Sequence, residues 1–204
     1  MCASIDENAD LLRAENWSFS HPVPYDTAWQ GTAVGKSGGC LEGCMTVAPD
    51  GTLYNVLRYE IGGCTPAYGK AILMRPDVSA PEKPMAFAKV IDFPGNHAKF
   101  QILYDKQSGR YLSVVSYLDS AHPKGRNLLS LIASADLEHW SLVEHIWDYS
   151  HLPEREVGFQ YVDFFIEGED ILLLSRTAFN GAANYHDANY SVFHRIGSFR
   201  KKIK

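Results

Sequence analysis

The sequence predicts an all-β protein. Three observations carry that reading. Short runs rich in β-branched, aromatic and leucine residues recur along the chain, and Gly, Pro, Asp and Asn punctuate them at strand-length intervals. Apolar residues almost nowhere recur at helical spacing. The first expected strands, Leu41–Val47 and Thr52–Tyr59, flank the turn residues Pro49-Asp50-Gly51. Lys70–Arg75 and Phe87–Asp92 follow, each apolar along most of its length. Lys99–Tyr104 and Tyr111–Tyr117 flank Gln107-Ser108-Gly109, a second hairpin signal. Leu128–Ser134 and Trp140–Ile146 come next. Gln160–Ile166 and Ile171–Thr177 flank Glu167-Gly168-Glu169-Asp170, and Tyr190–Arg195 is the last. One helix, a turn or two around Glu7–Ala14, is expected near the start.

Composition narrows the class. The chain has 204 residues, 46% hydrophobic and 21% charged, with a net charge of −5. That is enough chain to bury a sizeable core and is expected to form one domain over residues 1–204. The mild acidic excess gives no electrostatic footprint for nucleic acid or an anionic membrane. The basic tail Arg200-Lys201-Lys202-Ile203-Lys204 is expected to be a solvated end. No apolar run approaches the roughly 18 residues of a membrane span. Met1 to Asn8 lacks the basic and apolar regions of a signal peptide. The expected location is therefore cytoplasmic for a complete chain, and periplasmic or secreted if an upstream part exists. Cys40-x-x-x-Cys44 with Cys64 has no second paired knuckle and no nearby His, so Cys2, Cys40, Cys44 and Cys64 are expected to be ordinary thiols and no metal or cofactor is expected.

Grouping the strands reveals a larger period. A strand, a tight glycine turn and a second strand recur at Leu41–Arg58, Lys99–Tyr117 and Gln160–Arg176. Two further strands follow each of the first two units, which gives a period of about 55 to 60 residues. Ala9-Asp10-Leu11…Trp17-Ser18-Phe19 is echoed by Ala135-Asp136-Leu137…Trp140-Ser141-Leu142. A four-stranded antiparallel sheet repeated radially, a β-propeller, explains both repeats, whereas a β-sandwich explains the strands alone. Met1 to Ser20 reads as the outer half of a blade, followed by three units, so about three and a half blades are expected. Such an incomplete propeller has open edges, and the expectation is a C-terminal portion of a longer protein or closure by self-association.

Reading the units in register places Glu42, Lys99, Tyr161 and Asp163 on innermost strands, with Arg58, Tyr117 and Arg176 at the ends of second strands. Charged side chains converge in a core only when they are paired or bind something. One alternative is a salt-bridge ring that closes the channel. His186-Asp187, after the loop Asn180–Asn184, has the composition of a general acid or base at a channel mouth, and His97 is a second candidate of that kind. Tyr25, Trp29 and Tyr185 are loop aromatics of the type that stacks on sugar rings.

Glu42, seven residues, Asp50-Gly51, six residues and Arg58 together resemble the sialidase pattern. Gly158-Phe-Gln-Tyr161-Val-Asp163 resembles the strand that presents a nucleophilic tyrosine there, and Ser134-x-Asp136-Leu137-x-x-Trp140 resembles a shortened Asp-box turn. The whole chain is similar to bacterial sialidase-like (BNR-repeat) propellers; the family's Arg-Ile-Pro segment and the loop for its acidic proton donor are not within these residues, and the resemblance places both upstream. The resemblance implies a glycoside hydrolase acting on an anionic glycan. Tyr161 would be the nucleophile, Glu42 its base, and Arg58 and Arg176 the grip on a carboxylate, with Lys99, Asp163 and Asp187 as further substrate contacts and His186 as a further catalytic candidate. Two other readings stay open: a polysaccharide lyase with His186 or Tyr161 as base, and a non-catalytic glycan-binding module.

Overall fold

The computed structural model describes residues 1–65 and 67–204. Its strands are β1 (Ala3–Ser4), β2 (Ser18–Phe19), β3 (Val34–Gly35), β4 (Gly39–Val47), β5 (Leu53–Glu60), β6 (Cys64–Thr65), β7 (Lys70–Arg75), β8 (Ala86–Asp92), β9 (Ile102–Asp105), β10 (Arg110–Ser116), β11 (Leu128–Ser134), β12 (Trp140–Asp148), β13 (Gly158–Glu167), β14 (Asp170–Ala178) and β15 (Tyr190–Ile196). Every expected strand is present, most within two residues of its expected bounds. The order is β4-β5-β7-β8 in one sheet, β9-β10-β11-β12 in a second and β13-β14-β15 in a third, all antiparallel, and the hairpin β1-β2 precedes them. β4 contacts β9, and β10 contacts β13, so consecutive sheets pack as consecutive blades. This is an all-β propeller portion of about three and a half blades.

Period-two alternation decides the packing. Along β10, Tyr111 and Val115 face the first blade, where they meet Val56, Leu73 and Phe93. Leu112 and Val114 point the other way, onto Phe159, Phe164 and Leu173 of the third blade. The central blade is buried on both faces, which is why Leu128–Ser134 reads as one unbroken buried run. The outer face of the first blade packs Leu57, Tyr59 and Met74 against Val23, Tyr25 and Trp29. Tyr25 and Trp29 are therefore core residues: Trp29 stacks on Phe87 at 4.6 Å, and Tyr25 shares a 2.5 Å hydroxyl contact with Tyr59.

Three expectations need correction. The segment Glu7–Ala14 is not an α-helix; only Ala14–Asn16 makes a 3₁₀ turn. The Asp6 and Asp10 carboxylates accept the backbone N–H groups of Asn8 and Leu12, and these side-chain bonds compete with helical ones. The Trp17 indole then donates to the Leu11 carbonyl six residues back, and Trp140 to Leu137 three residues back, so an indole bond to the leucine carbonyl closes both Asp-Leu…Trp segments over turns of different length. Lys99 lies ahead of its strand, which begins at Ile102. The chain around Pro94–Lys99 instead forms turns closed by the Leu118 N–H on the Pro94 carbonyl and the Gly69 N–H on the Asn96 side chain. Nor is the basic tail wholly solvated. Arg200 clamps the buried Asp105 with two 2.8 Å bonds, and Lys202 reaches Glu144 at 2.7 Å.

The Arg200 clamp sets an acid limit. Burial disfavours the Asp105 charge, but the Arg200 and Ser108 bonds outweigh it and hold the carboxyl down at about 2. A lowered folded-state value means that its contribution is complete above about pH 4, the range of an unfolded aspartate, and fades as pH falls toward 2. Acid unfolding followed by circular dichroism is expected to shift to higher pH in Arg200→Ala.

Candidate functional site

Glu42 and Tyr161 each sit in a β-bulge on an innermost strand. The register between β4 and β5 slips between Cys40 and Gly43, and that between β13 and β14 slips between Gln160 and Asp163. A bulge re-aims the side chain it carries. Tyr161 also has φ of 52°, a left-handed conformation that a tyrosine adopts only when its surroundings impose it. The two side chains meet across the blades: the Tyr161 hydroxyl donates to Glu42 Oε1 at 3.3 Å.

Arg58, at the inner end of β5, locks Glu42 from the other side. Its Nη1 reaches both Glu42 oxygens at 3.2 and 3.4 Å, while Nε and Nη2 bond the carbonyls of Asn96 and His97. Burial opposes the Glu42 charge, yet its own backbone N–H and Arg58 prevail and keep the carboxyl below its ordinary value. Glu42 is thus ionised at neutral pH. Arg176 lies over the Tyr161 ring at 5.4 Å and donates to the His186 carbonyl at 2.6 Å. Glu42, Arg58, Tyr161 and Arg176 therefore form one contiguous cluster drawn from β4, β5, β13 and β14.

The other expected residues stand apart from its hydrogen bonds. Lys99 and Asp163 are exposed and act on the Cys44 thiol, two residues along β4 from Glu42. The polar contact of the His186 ring among the described residues is with its neighbour Asp187, at 3.8 Å, and Asp187 also accepts from Asn184. The backbone of this loop, more than its ring, touches the cluster. Tyr117 faces the outer flank between the first two blades.

Three residues that the sequence passed over or ranked low complete the site. Arg126, in the loop before β11, is only 6% exposed and lines a cavity of about 170 Å³ with Arg58, Tyr68, Asn96, His97 and Tyr185. Its Nη1 bonds Gln160, and its guanidinium lies over the Tyr185 ring at 5.1 Å. Its Nε has no partner among the described residues, and no carboxylate there pairs with it. Burial and the Arg58 charge both act against its own charge. Gln160, 1% exposed, also donates to the Tyr185 carbonyl at 2.6 Å, which ties Arg126 to the loop carrying His186. The His97 imidazole lies tilted by 54° against the Tyr68 ring at 4.7 Å and contacts the Gly125 backbone. Burial, with Arg126 and Arg58, holds it below its ordinary value, so it is neutral at pH 7. No motif marks Arg126. The signal available was Lys124-Gly125-Arg126, a glycine beside an arginine just before a wholly apolar strand.

No protein-family model matches the chain, and no curated protein is similar in sequence. The fold does match solved structures. An α-L-arabinofuranosidase of Fusarium graminearum in complex with an iminosugar inhibitor is 16% identical over 89% of this chain and 49% of that one, with a TM-score of 0.50. The same figures hold for its complex with arabinobiose. A mutant of that enzyme superposes with a TM-score of 0.50 at 14% identity, covering 82% of this chain and 50% of that one. At these identities the likeness shows the β-propeller fold, of which this chain spans about half the neighbours' length.

Proposed function

We propose that the protein is a sialidase-like glycoside hydrolase module acting on an anionic glycan. The observation that carries the reading is the chain of contacts from Tyr161 through Glu42 to Arg58, beside the buried Arg126, which has no carboxylate in direct contact among the described residues. An isolated buried guanidinium is costly unless an anion joins it, and its planar fork suits a carboxylate. Arg58 is already matched by Glu42, so Arg126 supplies the free positive charge and Arg58 the second wall. A phenol is a weak nucleophile at neutral pH and needs an adjacent base, the part that Glu42 takes. Tyrosine avoids the repulsion that a carboxylate nucleophile meets from an anionic sugar. His186 and Asp187 border the same mouth, and Lys99 and Asp163 would touch more distant parts of the substrate. Residues 1–204 act as one propeller unit in this reading, with a glycan as partner.

One observation favours a second reading, a polysaccharide lyase. The neutral His97 imidazole beside two guanidiniums has the arrangement needed to abstract a proton next to a neutralised carboxylate. Product chemistry separates the readings. Incubation with a polyuronate is expected to release new reducing ends with no ultraviolet-absorbing double bond. An absorbing product would establish the lyase. Binding without any product would leave a glycan-binding module.

A further inference from the structure

Tyr68 walls two spaces at once. One is the small cavity beside Arg126, and the other is a groove of about 960 Å³ on the flank between the first two blades. The groove follows β8, whose seven residues at about 3.3 Å each extend roughly 23 Å. It ends at the Asp136 turn, where Glu138, His139 and Trp140 form its far wall. A water occupies about 30 Å³ of liquid, so the inner cavity holds a handful of waters and the groove several times more.

The wall chemistry is that of a sugar-chain site. Tyr117 and Trp140 present partly buried rings, and the hydroxyls of Tyr68 and Tyr117 have no hydrogen-bond partner among the described residues. The groove's Lys89, Glu138 and Asp92 are each paired, Asp92 with Lys70 beside the groove. Lys89 pairs with Glu138 at 2.8 Å and Lys70 with Asp92 at 3.2 Å. Paired charges exert little pull on an anion, whereas aromatic faces and free hydroxyls gain from sugar rings.

We propose that this flank groove binds the continuing chain of an oligosaccharide whose anionic residue enters the cavity at Arg126, so that the ligand is a polysaccharide chain and not a single terminal sugar. This deepens the proposed function and rests on it. The groove's share of the affinity comes from stacking and survives salt, whereas the Arg126 share weakens with it.

Galacturonate and its oligomers of two to six units are the probes, titrated calorimetrically into the unmodified chain. Kd is expected to fall by at least about tenfold from one unit to four, as two stacked rings allow. Tyr117→Ala, outside the cluster around Tyr161, is expected to bring the four-unit Kd back toward that of the single sugar and to leave the latter unchanged. Because Tyr117 also packs in the core, a second measurement stands beside it. The four-unit oligomer, and not the single sugar, is expected to change the tryptophan fluorescence, and Trp140→Phe is expected to remove that change. If the single sugar binds and Kd is the same at every length, the groove proposal falls and the proposed function stands. A length dependence that persists in Tyr117→Ala with no Trp140 signal also overturns it. Binding at no length overturns both.

Discussion

Tyr161→Phe is expected to abolish glycoside turnover while leaving the fold intact. The substitution deletes one oxygen and no methylene, so the ring stays under Arg176, at 5.4 Å in the native site. Glu42 keeps both bonds to Arg58 and is not left as an unpaired buried charge. The structural loss is one hydrogen bond, about 1 kcal/mol, or roughly 2–4 °C in Tm for a chain of this size. The chemical loss is the nucleophile itself, expected to cost a hundredfold or more in kcat. Turnover and melting temperature measured on the same variant decide the matter. Retained turnover ends the tyrosine mechanism, and a large fall in Tm with normal turnover makes Tyr161 a structural residue.

Arg126→Met is expected to move stability and binding in opposite directions. The arginine is 6% exposed, its Nε has no partner among the described residues, and it faces the like charge of Arg58. Methionine retains much of the apolar stem and removes the buried charge, and replacing buried charges with well-packed apolar groups is often stabilising. The lost Gln160 bond offsets part of this gain, since the amide still holds the Tyr185 carbonyl. Net stabilisation of about 1 kcal/mol, or 2–4 °C, is expected. Galacturonate binding is expected to weaken about thirtyfold or more, the equivalent of about 2 kcal/mol for a desolvated charge pair. Thermal melting and calorimetry on one variant suffice. A lower Tm with unchanged binding would assign Arg126 to the scaffold.

The pairing of Glu42 with Arg58 was legible because both lie on one hairpin, where Asp50-Gly51 fixes the register and so the distance between them. Tyr161 was legible as an inner-strand residue because Gln160–Ile166 precedes the Glu167-Gly168 turn in register with the first strand of the earlier hairpin units. That its ring reaches Glu42 depends on two bulges, and a bulge adds a residue without a distinctive residue type at the position. Asp105 and Arg200 show the same limit: their contact spans 95 positions, and nothing local to either marks the other.

Periodicity, turn residues and the repeated hairpin determined the strands, their order within each blade and the propeller, because alternation and glycine turns are local and act within about ten residues. The tertiary structure decided which polar groups share a cavity. It moved Lys99 and His186 to the margin and brought Arg126, Gln160 and His97 to the centre. Those placements depend on loops packing against neighbouring blades, where burial and the pairing of charge are set by distant residues, and no local pattern records them.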